Sequence, residues 1–176
     1  MALSLLEAHR LGKVRVAMAR GSDFYGPGVR SSSLGERTII PLLHGKPAEV
    51  TGSLDQPHTY TVISNFGEAL AILGERDEAL GQAWHVPNPP TLTQRELVTL
   101  FFKEAGLEPK FSVMGRPMLM LGGLFIPAAH EMLEMFYEFE KPFRVDSSRF
   151  IQAFGSIATP HELAVKETLA WYRTLL

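Results

Sequence analysis

The chain has 176 residues and no cysteine. Disulfides, thiolate nucleophiles and cysteine-bound metals are excluded, and a reducing cytoplasm is the expected compartment. Long apolar runs are also missing. The longest candidate, residues 117–129, holds two prolines and two glycines and is too short to cross a bilayer. Charge of one sign is not in excess. Seventeen Lys and Arg stand against nineteen Asp and Glu, a net charge of −2, which offers no footprint for nucleic acid or an anionic membrane. Ligand spacing is absent among the six histidines; His130 and Glu134 form a lone i,i+4 pair, so no metal site is expected. There is no Gly-x-Ser-x-Gly elbow, and no order of Ser, His and Asp recommends itself as a triad.

What remains is ordinary globular composition. The hydrophobic fraction is 45% and the charged fraction 20%, enough for one domain over residues 1–176 with a proper core. Residues 2–11 place apolar side chains at 3, 5, 6, 8 and 11 and carry Glu7, His9 and Arg10. They read as an amphipathic helix stopped at Gly12, and not as a signal peptide. The apolar run 14–19 reads as a buried strand. Ser31, Ser32 and Ser33 are placed to cap a helix running to about His44, before Gly45 and Pro47. Residues 48–53 and 58–63 read as strands, and 82–87 as a strand ended by prolines. Three segments fit the capping box: Asn65 with Glu68, Thr93 with Glu96, and Thr159 with Glu162. They open helices over about 65–73, 93–105 and 160–175, with Gly74 and Gly106 as C-terminal stops. Strands 14–19 and 83–87 are too far apart for a simple hairpin and are expected to be parallel neighbours. Residues 117–139 are helical and Met-rich, broken near Gly122, Gly123 and Pro127, and residues 143–146 are extended. The series Met114, Met118, Met120, Met132, Met135, Phe136 and Phe139 has helical spacing and reads as core.

The turn after the first strand stands out. Arg20, Gly21, Ser22, Asp23, Phe24, Tyr25, Gly26, Pro27 and Gly28 follow a buried strand with three glycines and a proline. Open α/β sheets bind ligands at such carboxyl edges. Asp23 has two readings. Its carboxylate faces a ligand, or it closes an Asx turn on the backbone of the loop. Arg20 anchors an acidic group or braces the turn. Ser22 and Tyr25 are similar cases. His58 and His85 stand at strand ends, lining a cleft or hydrogen-bonded in a structural role.

Arg20 to Gly28 resembles the turn after the sixth strand in the extended short-chain dehydrogenase/reductases, the NAD-dependent epimerase/dehydratase family. Four further pieces follow in that family's order. They are the strand and helix from His58 to Leu70 with Asn65 in place of an Asp, the strand from Gly81 to Pro87, Val145 to Phe150 with Phe154 and Gly155, and Thr159 and Pro160 leading to Trp171 and Tyr172. The resemblance covers essentially the whole chain. It implies an α/β fold: the last strands of a partial Rossmann-type parallel sheet, with a small, mostly helical substrate-side lobe. It implies NAD or NADP as cofactor, with Ser22 and Asp23 on the cofactor side and Asp23, Tyr25 and His58 toward substrate.

Two parts of the family pattern are missing. No Gly-x-x-Gly-x-x-Gly loop follows any strand, the device that brings a helix N-terminus against a pyrophosphate. The Tyr-x-x-x-Lys helix is absent too, and residues 2–11 resemble the end of that helix beyond its lysine. Tyr137 and Lys141 have the spacing, but Pro142 ends the helix at once. The flanking Glu138 and Glu140 would raise the phenol pKa. The expectation is therefore the C-terminal part of a larger oxidoreductase, truncated and catalytically incomplete. The alternative is a stand-alone ligand-binding or oligomerising module. A strand 14–19 deprived of one neighbour would leave an apolar edge, so a homo-oligomer, most simply a twofold dimer, is expected.

Overall fold

A computed structural model describes residues 2–123 and 133–176. Pro127, His130, Glu131 and Met132 lie outside the described residues. Helix α1 (Ala2–Arg10) ends where Gly12 takes φ 70°. The chain then climbs to β1 (Met18–Arg20), three residues long where six were expected. Val14 and Arg15 are left out of the ladder because the backbone around them is still tied to the helix end, with the Lys13 amide donating to Ala8. Arg15 reaches instead to Asp77.

Strand β2 (Asp23–Tyr25) lies inside the segment read as a turn. Gly21 and Gly26 mark the ends of this strand, where turn residues were taken to fill the whole stretch. Helix α2 (Glu36–Leu43) starts later than the serine triplet suggests, with Gly35 at its N-cap and no side-chain cap. Thr38, in the first turn, donates its hydroxyl to the carbonyls of Ser33 and Glu49 and ties the helix start to β3 (Ala48–Thr51). Strands β4 (Pro57–His58) and β5 (Tyr60–Val62) run straight into α3 (Ile63–Glu75).

A short 3₁₀ turn, β6 (Ala83–His85) and β7 (Leu92–Thr93) follow. Helix α4 (Gln94–Ala105) has the capping box in full: Thr93 accepts from the Glu96 amide, and Glu96 accepts from the Thr93 amide. Gly106 closes it at φ 72°. The rest is β8 (Phe111–Met114), α5 (Arg116–Gly123), α6 (Tyr137–Glu140), α7 (Ser148–Phe154) and α8 (His161–Arg173).

The other two expected capping boxes do not form. Asn65 sits in the first turn of α3, and Thr159 precedes α8 without capping it. The two side chains bond each other. The Asn65 amide donates to the Thr159 hydroxyl, and its carbonyl oxygen accepts from the Thr159 amide, each at 2.9 Å. Two polar groups that would each cap their own helix satisfy one another across the fold, where Asn65 is buried and needs a partner. Gly74 lies within α3 and stops nothing.

Pairing among the described residues is pairwise. β1 is parallel to β6, with Met18 opposite Ala83, as expected. β2 is parallel to β5, β3 is parallel to β8, and β4 is antiparallel to β7. The architecture is that of a partial Rossmann-type sheet with a mostly helical lobe. The main core forms where the apolar stripes of α4 (Leu97, Val98, Phe101, Phe102) and α8 (Val165, Leu169, Tyr172) meet α2, β3 and β5. A second cluster gathers Trp84, Val86, Leu73 and Phe150 beneath β6. Among the described residues no helix is long and apolar enough to cross a membrane.

Candidate ligand cleft beside strand β2

Strand β2 positions the site. Its entry is fastened by Ser22, whose amide donates to the Thr61 hydroxyl at 2.8 Å and whose own hydroxyl donates to the Thr59 carbonyl. Ser22 is thereby committed to holding β2 against β5. Register then sets Asp23 opposite Tyr60 and Tyr25 opposite Val62. Alternation along the strand sends these side chains to one side of the pair.

Asp23 and His58 are brought together. His58 Nε2 donates to Asp23 Oδ2 at 2.7 Å. The imidazole is 2% exposed, whereas the carboxylate is 30% exposed. His58 lies parallel to the Phe139 ring, with centroids 5.4 Å apart, and also touches Tyr60 and Phe143. Its ring is walled in by aromatics, so its outlet toward solvent is the Asp23 carboxylate. The Asx-turn reading of Asp23 is replaced by this pairing across the strands.

Tyr25 is not part of that group. It is fully buried, and its hydroxyl meets His161 Nδ1 at 2.9 Å. The other ring nitrogen of His161 donates to the Pro90 carbonyl at 2.8 Å. Burial, and secondarily the charge of Glu162, pushes the Tyr25 phenol far above its ordinary pKa. His85 is exposed and meets the Asp146 carbonyl at 3.1 Å. Arg20 is exposed at the end of β1. Tyr137 is exposed on the single turn of α6.

Asp23 opens into a cleft of about 350 Å³ between β2, the serine loop, the start of α2, β3 and Phe139. Two arginines line it, Arg30 and Arg37, and three carboxylates, Asp23, Glu36 and Glu49. Arg30 pairs with Glu36, and Arg37 with Glu49 at 3.1 Å. The Ser32 and Ser33 hydroxyls at its wall are buried without a hydrogen-bond partner. Sequence reasoning missed Arg37 and Glu49, and Phe139, read as core from its helical spacing, also reaches the cleft. The serine triplet was noticed for a capping role it does not fill. A second cleft, about 650 Å³, lies between the starts of α4 and α8, lined by Pro90, Leu92, Leu100, Pro160 and His161. Among the described residues no cluster of His, Asp or Glu is arranged to hold a metal ion.

No family model and no curated protein sequence matches this chain. Solved structures do. UDP-glucuronic acid 4-epimerase from Bacillus cereus, in complex with UDP-glucuronic acid and NAD, superposes with a TM-score of 0.73 at 14% identity, over 99% of this chain and 50% of that one. UDP-N-acetylglucosamine 4-epimerase from Methanobrevibacter ruminantium M1, in complex with UDP-N-acetylmuramic acid, gives 0.73 at 15% identity, over 99% and 51%. The dTDP-glucose 4,6-dehydratase DesIV from Streptomyces venezuelae, with NAD and TYD bound, gives 0.70 at 16% identity, over 98% and 48%. The chain thus spans about half the length of the enzymes it matches, and its fold is that of the C-terminal part of an NAD-dependent epimerase or dehydratase.

Proposed function

We propose that this chain is the C-terminal, substrate-side portion of an NAD(P)-dependent epimerase/dehydratase-like oxidoreductase, and that it is catalytically incomplete by itself. The observation that carries the reading is the match of essentially the entire chain to half of such enzymes. The cleft at Asp23 supports the substrate side of it. The incompleteness rests on chemistry. The chain carries no glycine-rich strand-to-helix loop to take a pyrophosphate. Ser22 has its amide and hydroxyl proton engaged within the strand pair. Asp23 is a carboxylate and repels a dinucleotide phosphate. In this reading another polypeptide segment holds the cofactor's phosphates and supplies the acid/base.

Isothermal titration of the chain with NAD and with NADP tests this. Binding weaker than roughly 0.1 mM, about −5.5 kcal/mol, is expected for both. Tighter binding, or oxidoreductase turnover by the chain alone, would overturn the incompleteness. Any activity found should survive Tyr137→Phe. A second reading is a stand-alone ligand-binding module that uses the cleft at Asp23. A ligand bound by the chain alone, with no gain when a dinucleotide-binding half is added, would select it.

A further inference from the structure

We propose that the cleft between the starts of α4 and α8 binds a small organic cation, an apolar body carrying a protonated amine. This cleft shares no described lining residue with the one at Asp23, so the proposal stands apart from the substrate-side reading. Its space measures about 650 Å³, well within the range of small-molecule sites. Leu92, Leu100, Pro90 and Pro160 give it apolar walls. The two leucines are half-buried against the main core, so the apolar floor is built into the fold.

Charge decides which apolar molecule fits. Arg95, Glu96 and Glu162 line the cleft. The Arg95 guanidinium is already taken: it donates to both Asp55 oxygens, at 2.7 and 3.0 Å, and lies over the Phe111 ring. His161 adds no positive charge, because Nε2 donates to the Pro90 carbonyl and Nδ1 accepts from Tyr25. Glu96 receives both of its Thr93 bonds on Oε2, which hold its pKa below the ordinary value and leave Oε1 open. Glu162 makes no ion pair among the described residues. Two carboxylates therefore border an apolar space whose walls hold no free cation.

Helix starts ordinarily favour anions, but here that position is filled. The Arg95 and Glu96 amides donate to the Leu54 carbonyl and the Thr93 hydroxyl. Glu96 and Glu162 supply negative charge in the first turn of each helix. An added anion meets these carboxylates. An ammonium, with three donors, gains charge-assisted hydrogen bonds from them, and an apolar body behind it covers the leucines and prolines.

The test is amide chemical-shift mapping on the labelled full chain with three probes of similar shape: 2-phenylethylammonium, 2-phenylethanol and 3-phenylpropionate. The ammonium is expected to give saturable shifts at Leu92, Leu100 and Glu162, to bind more tightly than the alcohol, and to leave the propionate weakest. Glu162→Gln, at an exposed position, should weaken the ammonium about tenfold and leave the alcohol unchanged, with the spectrum still dispersed. Adding Glu96→Gln, which keeps a side-chain acceptor for the cap, should weaken it further. Propionate binding as tightly as the ammonium would refute the charge argument. Equal binding of ammonium and alcohol, insensitivity to Glu162→Gln, shifts confined to the cleft at Asp23, or silence from all three probes would each overturn the proposal. None of these results bears on the substrate-side reading.

Discussion

Asp23 and His58 meet where a nearly inaccessible ring has one polar partner on the cleft side. Asp23→Ala leaves the His58 Nε2 donor buried and unmatched, and stability should fall by about 1–3 kcal/mol, read from urea unfolding. Asp23→Asn keeps an acceptor oxygen and should lose less. His161 makes a pH prediction. It donates to Pro90 and accepts from Tyr25, so the folded chain holds it neutral. Burial keeps its pKa below the usual histidine value, against the opposing pull of the Pro90 carbonyl and Glu162. The unfolded chain therefore takes up the proton first. Stability from this group is complete above about pH 6.5 and is lost as pH falls from there toward the lower folded pKa. The urea midpoint should drop between pH 7.5 and pH 5, and His161→Gln should flatten that interval. Carboxylates held low by Arg95 at Asp55 and by Thr93 at Glu96 act in a separate window, below about pH 4.

Helix starts show how tertiary contacts override local signals. The Thr93–Glu96 box forms because α4 begins at the surface, where both donors need a partner. Thr93→Ala should cost about 1 kcal/mol. Asn65 and Thr159 carry the same signal and bond each other instead. Asn65→Ala should cost about 1–3 kcal/mol and loosen the entry to α8, visible as faster amide exchange near Thr159. Gly52, just after β3, is a different case. Its φ is +71°, and a Cβ there would lie 2.6 Å from the Phe139 carbonyl oxygen and 2.5 Å from its Cβ. Gly52→Ala must therefore push Phe139 out of the cleft wall. It should destabilise more than Gly106→Ala, where φ is +72° but the space is open.

At the scale of the whole molecule, the N-terminal helix exposes apolar side chains. Leu3 is 83% exposed and Leu11 52%, and α1 has no buried residue. Among the described residues β1 pairs with β6 alone. Unpaired edges and exposed apolar side chains favour association, and a homo-oligomer built on α1 and β1 is the expected state. Sedimentation at micromolar concentration checks it: a dimer near twice the 19.5 kDa chain mass is expected, and a clean monomer would refute it. Leu3→Glu with Leu11→Glu should shift such a dimer toward monomer without lowering the unfolding midpoint of the isolated subunit.

Local order was legible in the residues. The amphipathic spacing of α4 and α8 and the glycine stops at 12 and 106 follow from periodicity and backbone preference, which act over a few positions, whereas Asp23, read as part of a turn, opens strand β2. The cleft was legible only in part. Asp23 and His58 were candidates, yet their pairing depends on a register between strands 35 positions apart. Ser22 and Tyr25 looked like ligand contacts until packing turned one to strand pairing and the other to His161. Arg37, Glu49 and Phe139 carry no local signal of a site. The chain by itself determined the amphipathic helices and the glycine stops, because those choices are made among neighbours. Only the tertiary structure decided which polar groups satisfy one another and which two serines stay unmatched, because hydrogen-bond partners and charges are assigned by distance in space.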